Sequence, residues 1–140
     1  MILLDTNVLS ELARIRSHEV MADWIAQKPI SSLFTTTITQ AEMLLGVALV
    51  PSGKRKAGLA EAVAALFDTD MAFRVLPFDG SAARDFAAIV SHRRKMGRPI
   101  NHADAQIAAI ARSRGAIVAT RNTTDFAACG VELVDPFSEP

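Results

Sequence analysis

Apolar and polar residues alternate along this chain with two different periods, which together predict strands separated by helices. Short runs of apolar or β-branched residues predict buried strands, and apolar residues three or four positions apart predict one face of a helix. The predicted strands cover residues 2–4, 33–38, 74–78, 116–119 and 131–134, and the predicted helices cover 7–14, 18–28 (with Ser17 as its cap), 40–50, 54–67, 79–96 and 102–114. Strands that alternate with helices pair in parallel through right-handed crossovers. We therefore expect an α/β fold with three α/β/α layers around a central, mainly parallel sheet of four to five strands.

A carboxylate stands at the point where the first predicted strand ends. The apolar run Ile2–Leu4 is followed directly by Asp5 and then by two small polar residues, Thr6 and Asn7. Ligands of open α/β sheets bind in the crevice outside the carboxyl ends of the strands. Asp5 is therefore predicted to lie at the mouth of such a crevice.

Three more acidic residues occupy comparable places further along the chain. Glu42 follows the second predicted strand, Asp104 lies at the start of a helix, and Asp125 follows the fourth strand. Parallel topology brings these places toward one edge of the sheet, where two unit charges about 4 Å apart repel by about 4 kcal/mol at an effective dielectric constant of about 20. Acids that converge must therefore be protonated or hold a cation. Oxygen ligands favour Mg²⁺ or Mn²⁺ over zinc, and a hard dication suits phosphodiester hydrolysis.

Each acid also fits a structural role at the start of a helix. Residues 39–42 (Thr-Gln-Ala-Glu) have the pattern of a capping box, and residues 101–104 and 122–125 place an acid at the same offset. Asp5 fits the N-cap position of the helix that follows it. An alternative interpretation is therefore a non-catalytic α/β binding module whose acids are helix caps. An aspartyl-phosphate phosphatase and a receiver-like phosphoacceptor rank lower, because the first needs a second aspartate where this chain has Asn7 and the second needs paired acids beside Asp5.

Composition limits these interpretations without choosing between them. The chain of 140 residues has 15 Lys and Arg against 15 Asp and Glu, so no overall basic charge indicates nucleic-acid binding. The one cysteine, Cys129, excludes an intramolecular disulfide framework and a cysteine-rich zinc site. The sequence shows no signal-peptide pattern, and its apolar runs are far shorter than the roughly 20 residues that span a bilayer. We expect one domain over residues 1–140, located in the cytoplasm and without membrane association.

The four acidic stretches together resemble the motifs of the PIN-domain ribonucleases. These stretches are residues 4–7 (Leu-Asp-Thr-Asn), Glu42 after the second strand, residues 104–109 (Asp-Ala-Gln-Ile-Ala-Ala) and residues 120–126 (Thr-Arg-Asn-Thr-Thr-Asp-Phe). More narrowly, they resemble the VapC-type toxins of type II toxin–antitoxin pairs, including the FitB-like branch. Each motif is weak alone, but the four in this order and context are specific together, and the likeness covers nearly the whole chain.

The resemblance implies an endoribonuclease that depends on Mg²⁺, for which Mn²⁺ can substitute. It implies that the catalytic and metal-holding residues are Asp5, Glu42, Asp104 and Asp125. It implies that the polar residues supporting this cluster are Thr6, Asn7, Thr120 and Asn122. Within the cluster, Asp5 and Asp104 would be the firmest metal ligands. It further implies a homodimer that a cognate VapB- or FitA-like antitoxin silences by lying across helices near the site, in a higher assembly.

Basic residues and one apolar stripe each have two interpretations. Arg93, Arg94 and Lys95 would contact an RNA backbone, but cations in the last turn of a helix also offset its dipole. Arg121 stands beside the acids and would pair with one of them or with phosphate. The apolar stripe in residues 43–48 is either ordinary core or part of a surface where a partner docks.

Overall fold

Five short strands form one sheet within residues 1–14 and 18–138, which are the residues that the computed structural model describes. The strands are β1 Ile2–Leu4, β2 Leu33–Thr36, β3 Val75–Leu76, β4 Ile117–Ala119 and β5 Leu133–Val134. Their order across the sheet is β3-β2-β1-β4-β5, and every neighbouring pair is parallel. The first strand is therefore central, and the predicted parallel α/β fold is confirmed.

Helices cover both faces of this sheet. They are α1 Thr6–Leu12, α2 Glu19–Ala26, α3 Thr37–Ala48, α4 Lys54–Ala65, α5 Gly80–Lys95 and α6 His102–Arg114, with a π-helical turn at Leu66–Asp70 and 3-10 turns at Ile30–Ser32 and Thr123–Phe126. In the part of the chain that the structure describes, every helix is too short or too polar to cross a lipid bilayer.

The central strand divides the core into two clusters, one on each face of the sheet. Successive side chains of a strand point to opposite faces, and both Leu3 and Leu4 are fully buried. Leu3 belongs to the same cluster as Ile89 of α5 and Ile107 of α6. Leu4 belongs to the other cluster, which includes Met21 of α2 and further residues from α1, α3 and α4. The three-layer arrangement thus follows from two adjacent leucines, and Asp5 comes directly after them.

The second strand is shorter than predicted because α3 begins earlier. Thr36 is the N-cap residue: its backbone is extended, and its hydroxyl accepts a hydrogen bond from the Thr39 N–H at 3.0 Å. Thr39 therefore lies inside the helix and is fully buried. The predicted capping box from Thr39 to Glu42 is wrong, because any of several neighbouring threonines is able to cap and the pattern does not separate them. This leaves the Glu42 carboxylate available for other contacts.

The ends of three other elements also differ from the prediction. The strands β3 and β5 have two residues each, against the predicted 74–78 and 131–134, because they are the edges of the sheet and pair on one side only. The predicted cap Ser17 lies outside the described residues. The cap of α2 is His18, whose Nδ1 accepts from the Met21 N–H at 3.4 Å.

The consecutive helices α3 and α4 pack against each other, and their apolar residues divide between core and surface. Met43 of α3 and Val63 of α4 are buried in the same core cluster. Leu44 and Leu45 on the outer face of α3 and its C-cap residue Leu49 are exposed, Leu49 to 75%. The apolar stripe of α3 is therefore core on one side and open surface on the other.

Candidate active site

Asp5 is fixed at the carboxyl end of the central strand β1. Its backbone N–H donates to the Ala119 carbonyl of β4 at 3.0 Å, so the two strands remain paired up to this point. Asp5 is also the N-cap residue of α1, where its Oδ1 accepts from the Thr6 N–H at 2.8 Å. Only 5% of Asp5 is exposed. The predicted cap is confirmed, and the carboxylate is held between a strand and a helix.

The second carboxylate oxygen of Asp5 belongs to a network that joins β1 to the segment after β4. The Thr120 hydroxyl donates to Asp5 Oδ2 at 2.8 Å, and the Asn7 amide donates to the same oxygen at 3.3 Å. The Thr120 hydroxyl accepts from Asn7 Nδ2 at 3.2 Å and from the Asn122 N–H at 3.1 Å, while Asn7 Oδ1 accepts from the Arg121 N–H at 3.1 Å. A hydroxyl has one donor and two acceptor positions, so every position of Thr120 is used. The polar residues predicted to support the acids therefore lie together. Asn122 takes part through its backbone N–H and not through its side chain.

Thr6 joins Glu42 to the same edge of the sheet. Its hydroxyl donates to Glu42 Oε1 at 2.9 Å and lies 3.1 Å from the hydroxyl oxygen of Thr39. Thr6 follows β1 and Glu42 lies on the helix after β2, and these two strands are parallel neighbours. Glu42 therefore stands exposed beside the start of α1 and does not cap its own helix.

Asp104 and Asp125 share a small cavity at this edge. The cavity has a volume of about 120 Å³ and is lined by Arg93, Pro99, Ile100, Asn101, Asp104 and Asp125. Asn101 is the N-cap residue of α6: its Oδ1 accepts from the Asp104 N–H, and its Nδ2 donates to Asp104 Oδ2, both at 2.8 Å. The predicted cap at residues 101–104 is confirmed. The same cap also restricts where the Asp104 carboxylate lies.

Asp125 reaches the cavity from the 3-10 turn Thr123–Phe126. Its N–H donates to the Asn122 carbonyl at 3.0 Å, and the side chain of Asn122 does not cap this turn. The predicted side-chain cap at residues 122–125 is therefore wrong. The next residue, Phe126, is fully buried and anchors the turn, while Asp125 remains exposed.

The four acids act on one another electrostatically. Burial is the largest cause that raises the pKa of Asp104 from its ordinary value of 3.8 to about 6, and the negative charges of Asp5, Asp125 and Glu42 add to it, against the hydrogen bond from the helix cap. Burial also raises the pKa of Asp5; the hydrogen bonds of its network oppose this effect, and Glu42 and Asp125 add to it. The four acids thus lie at one edge of the sheet, two of them in the cavity described above, and we call this edge the acidic hollow. Within residues 1–14 and 18–138, no three acidic, histidine or cysteine side chains are already gathered as a metal-binding group.

Arg93 has a different environment from the one predicted. It is 5% exposed, its Nη1 donates to the carbonyls of Asp125 at 3.0 Å and Ala127 at 2.8 Å, and its Nε donates to the carbonyl of Arg98 at 2.6 Å. This burial corrects the expectation that Arg93 contacts RNA. The sequence contains one indication of this burial: Arg93 lies four positions after the buried Ile89 and therefore on the same face of α5. A cation in the last turn of a helix is usually solvated, and both interpretations of Arg93 from the sequence, RNA contact and an offset of the helix dipole, place it at the surface.

The other three basic residues predicted to meet RNA are exposed. Arg94 and Lys95 are in the last turn of α5. The guanidinium carbon of Arg121 lies 3.7 Å from the centre of the Phe137 ring, a cation–π contact. Arg121 is thereby held next to the Asp5 network while it stays open to solvent. For these three residues, RNA contact stays a prediction.

The chain is similar to known proteins over almost its whole length. The PIN domain family matches residues 2–130. The chain is 38% identical over 137 residues to VapC ribonuclease Y4jK of Sinorhizobium fredii, and the aligned residues cover 98% of each protein. It is 39% identical over 139 residues to toxin FitB of Neisseria gonorrhoeae, and the aligned residues cover 99% of this chain and 100% of that protein. The solved structure of FitAB bound to the IR36 DNA fragment matches with a TM-score of 0.92 and 39% identity, over 100% of this chain and 98% of the other. The chain therefore belongs to the PIN-domain family, in the branch of the VapC and FitB toxins.

Proposed function

We propose that this protein is the toxin of a toxin–antitoxin pair and an endoribonuclease that uses Mg²⁺, with Mn²⁺ as a substitute. The observation that carries the proposal is geometric. Asp104 and Asp125 line one cavity, and the Thr120 network that holds Asp5 reaches Asn122, whose carbonyl accepts from the Asp125 N–H. The charges of the other three acids, which add to the raised pKa of Asp104, support it. Carboxylates that repel one another at one place are costly unless a cation neutralises them. Relatives named as a VapC ribonuclease and a tRNA(fMet)-specific endonuclease support the same activity.

Helix capping accounts for only two of the four acids. Asp5 caps α1, and Asp104 is bonded within the cap of α6. By contrast, α3 is capped by Thr36 and not by a box with Glu42, and the turn of Asp125 has no side-chain cap. A binding module whose acids are all caps would leave Glu42 and Asp125 without a reason to stand beside the other two.

The donor set suits a hard dication, because such ions take oxygen ligands. Asp5 and Asp104 would hold the ion, and Glu42 and Asp125 would complete its shell or orient the attacking water. When bound, a dication supplies Lewis acidity toward a phosphate oxygen and lowers the pKa of water. The protein supplies orientation: the hydroxyl of Thr120 and its neighbours hold the Asp5 carboxylate in place, and the Thr6 hydroxyl donates to the exposed Glu42. Asp125 is also exposed.

RNA would approach over a local basic rim and not through the charge of the whole protein. The chain has no net formal charge, so attraction to phosphate must come from individual side chains. Three such cations are exposed. Arg121 lies near the hollow, and Arg94 and Lys95 lie at the end of α5, which leads toward Asp104. We propose that they contact the RNA backbone, with Arg121 oriented by its cation–π contact.

Regulation would require a protein partner. FitB is recorded in a FitAB complex with DNA, and we propose a corresponding FitA- or VapB-like antitoxin and a homodimeric toxin for this chain, in a higher assembly when the antitoxin is bound. The exposed Leu44 and Leu45 of α3 and its C-cap residue Leu49 give the kind of apolar surface that protein partners cover. Light scattering of the toxin alone, and together with the protein encoded by the neighbouring reading frame, tests this assembly.

Cleavage by purified protein tests the activity. We expect Mg²⁺ to support cleavage of RNA, EDTA to stop it, and Asp5→Asn to slow it by more than the roughly 100-fold that changes around a metal ligand typically cause. Asparagine caps a helix as well as aspartate does, so Asp5→Asn keeps the cap and removes the charge. The matched control is Asp68→Asn, which makes the same change at an exposed acid in the π-helical turn. A folded Asp5→Asn protein with full activity would remove the metal-site proposal.

A further inference from the structure

One buried side chain joins the segments that carry the third and fourth acids. The Arg93 guanidinium donates to the carbonyls of Asp125 and Ala127 in the segment after β4, and to the carbonyl of Arg98 in the connection between α5 and α6. Arg98 also returns a bond, because its N–H donates to the Arg93 carbonyl at 2.9 Å. The connection that holds Arg98 leads directly to Asp104, so the two acids project from segments that Arg93 ties together.

The chemistry of Arg93 exceeds what packing alone requires. Burying a cation costs free energy, and an apolar side chain of similar volume fills such a space at least as well. None of the ion pairs found among residues 1–14 and 18–138 includes Arg93, and its hydrogen bonds go mainly to backbone carbonyls. A guanidinium has donors in a rigid, planar fork. It therefore fixes the relative positions of several carbonyls at once, which an apolar residue does not do.

Arg93 also belongs to the wall of the acidic cavity. It lines the same cavity of about 120 Å³ as Asp104 and Asp125. Its charge stabilises two carboxylates standing close together but repels a dication, so its contribution to metal binding would come from the fixed spacing between the two segments. Orienting the ligands is what a group outside the ligand shell contributes to a metal site.

We infer that Arg93 is a positioning residue, which sets the spacing of Asp104 and Asp125 and thereby the affinity of the hollow for a divalent cation. The inference rests on the metal-dependent function proposed above. It assigns to Arg93 no contact with RNA or with the reacting phosphate.

Mn²⁺ binding without RNA is the direct test. We expect Arg93→Met to weaken Mn²⁺ binding by about 10- to 100-fold, the range typical for groups around metal ligands. Arg93→Lys keeps the charge but not the planar fork, and we expect an intermediate loss. At saturating Mn²⁺, the KM for RNA should be unchanged in both variants. Calorimetry measures the binding, and circular dichroism verifies that each variant is folded.

Arg84 is the matched control. It is on the same helix α5 but is exposed, so Arg84→Met should leave the Mn²⁺ affinity unchanged. Folded Arg93 variants that bind Mn²⁺ as the wild-type protein does would overturn the inference. If the wild-type protein itself does not bind Mn²⁺, the proposed function fails instead, and the two failures are thereby distinguished.

A measurement on the unmodified protein keeps the inference testable if the Arg93 variants do not fold. Because Arg93 ties the two segments, Mg²⁺ should slow amide hydrogen exchange in residues 98–104 and 122–127 together. Protection of only one of these segments by Mg²⁺ would mean that they are not coupled and would overturn the inference.

Discussion

The two sides of the acidic hollow are built by different means. On one side, Asp5 is 5% exposed and both of its carboxylate oxygens accept hydrogen bonds from neighbouring residues. On the other side, Asp104 is half-buried and Asp125 is exposed, and their positions depend on a helix cap and on backbone carbonyls bonded to Arg93. The Asp5 side is thus a fixed anchor, while the other side follows the segments that carry it.

This difference separates two kinds of sensitivity. Changes beside Asp5 should remove activity, because they release a carboxylate that is held by side chains. Changes beside Asp104 should mainly alter stability and its dependence on pH or metal, because that carboxylate already bears a raised pKa. The following substitutions test this separation.

Thr120→Val should have the largest effect. It removes the hydroxyl that donates to Asp5 and accepts from Asn7 and Asn122. We expect a loss of about 2 kcal/mol in the free energy of unfolding, since buried polar groups lose their partner, and a fall in cleavage rate of about 10- to 100-fold. Urea unfolding and RNA cleavage measure the two effects. Thr120→Ser restores the hydroxyl and should be close to wild type; equal activity of the Val and Ser variants would show that the network does not hold Asp5.

Asn101→Ala should be next, with a loss of about 1 kcal/mol in the free energy of unfolding, as is typical for an N-cap. The same substitution removes a hydrogen bond that lowers the pKa of Asp104, so the pKa should rise further. We expect Mn²⁺ binding at pH 6.5 to weaken more than binding at pH 8, where the carboxyl is ionised in both proteins. Asn101→Ser retains a capping oxygen and is the control for stability. Equal weakening at both pH values would contradict this account.

Asp104→Asn should stabilise the metal-free protein at neutral pH. The folded protein binds the Asp104 proton with a pKa of about 6, above the ordinary 3.8 of the unfolded chain, so the folded state binds more protons between these values. The contribution of Asp104 to the free energy of unfolding therefore falls as pH rises from about 4 to 6 and stays low above that range. Because solvent screens a half-buried carboxyl, we expect a gain of only about 1 kcal/mol at pH 8 that disappears near pH 4.

Thermal unfolding at both pH values measures the effect of Asp104→Asn. Adding Mg²⁺ should make the wild-type protein more stable than Asp104→Asn, since a bound ion stabilises only the protein that retains the ligand. A variant less stable than wild type at pH 8 without metal would contradict the repulsion inferred for the hollow.

Arg94→Gln and Lys95→Gln should have the smallest effects. Both residues are exposed, so the free energy of unfolding should change by less than about 0.5 kcal/mol. If they contact RNA phosphates, KM should rise, and the salt dependence of binding should lose about one unit of slope for each residue. Fluorescence anisotropy with labelled RNA at several salt concentrations measures this. An unchanged slope would assign these cations to the helix dipole alone.

The acids were predictable because their places depend on simple patterns. An apolar run that stops at Asp5, and a helix start at Asp104, indicate the carboxyl edge of a parallel sheet without knowledge of any contact. The order of the strands, which makes β1 and β4 neighbours, brings Asp5 to the same edge of the sheet as the segment that carries Asp125.

The features that the sequence did not reveal depend on long-range packing or on a choice between equivalent residues. Thr36 and not Thr39 caps α3, and both are threonines preceding a helical pattern. Arg93 is buried because two of its three carbonyl partners are more than 30 positions away in the chain, which no local pattern specifies. The edge strands are short because pairing, and not hydrophobicity, sets their length.

The position of β4 beside the central strand β1 has a consequence for synthesis of the protein. Thr120 and Asp5 are bonded across 115 positions, so a nascent polypeptide emerging from the ribosome carries the first aspartate long before its partner exists. Until Ile117–Ala119 has been translated, β1 has an unpaired side and the anchor of the hollow is absent. A growing chain therefore lacks the complete Asp5 network through most of its own translation, and the network forms only when β4 pairs with β1.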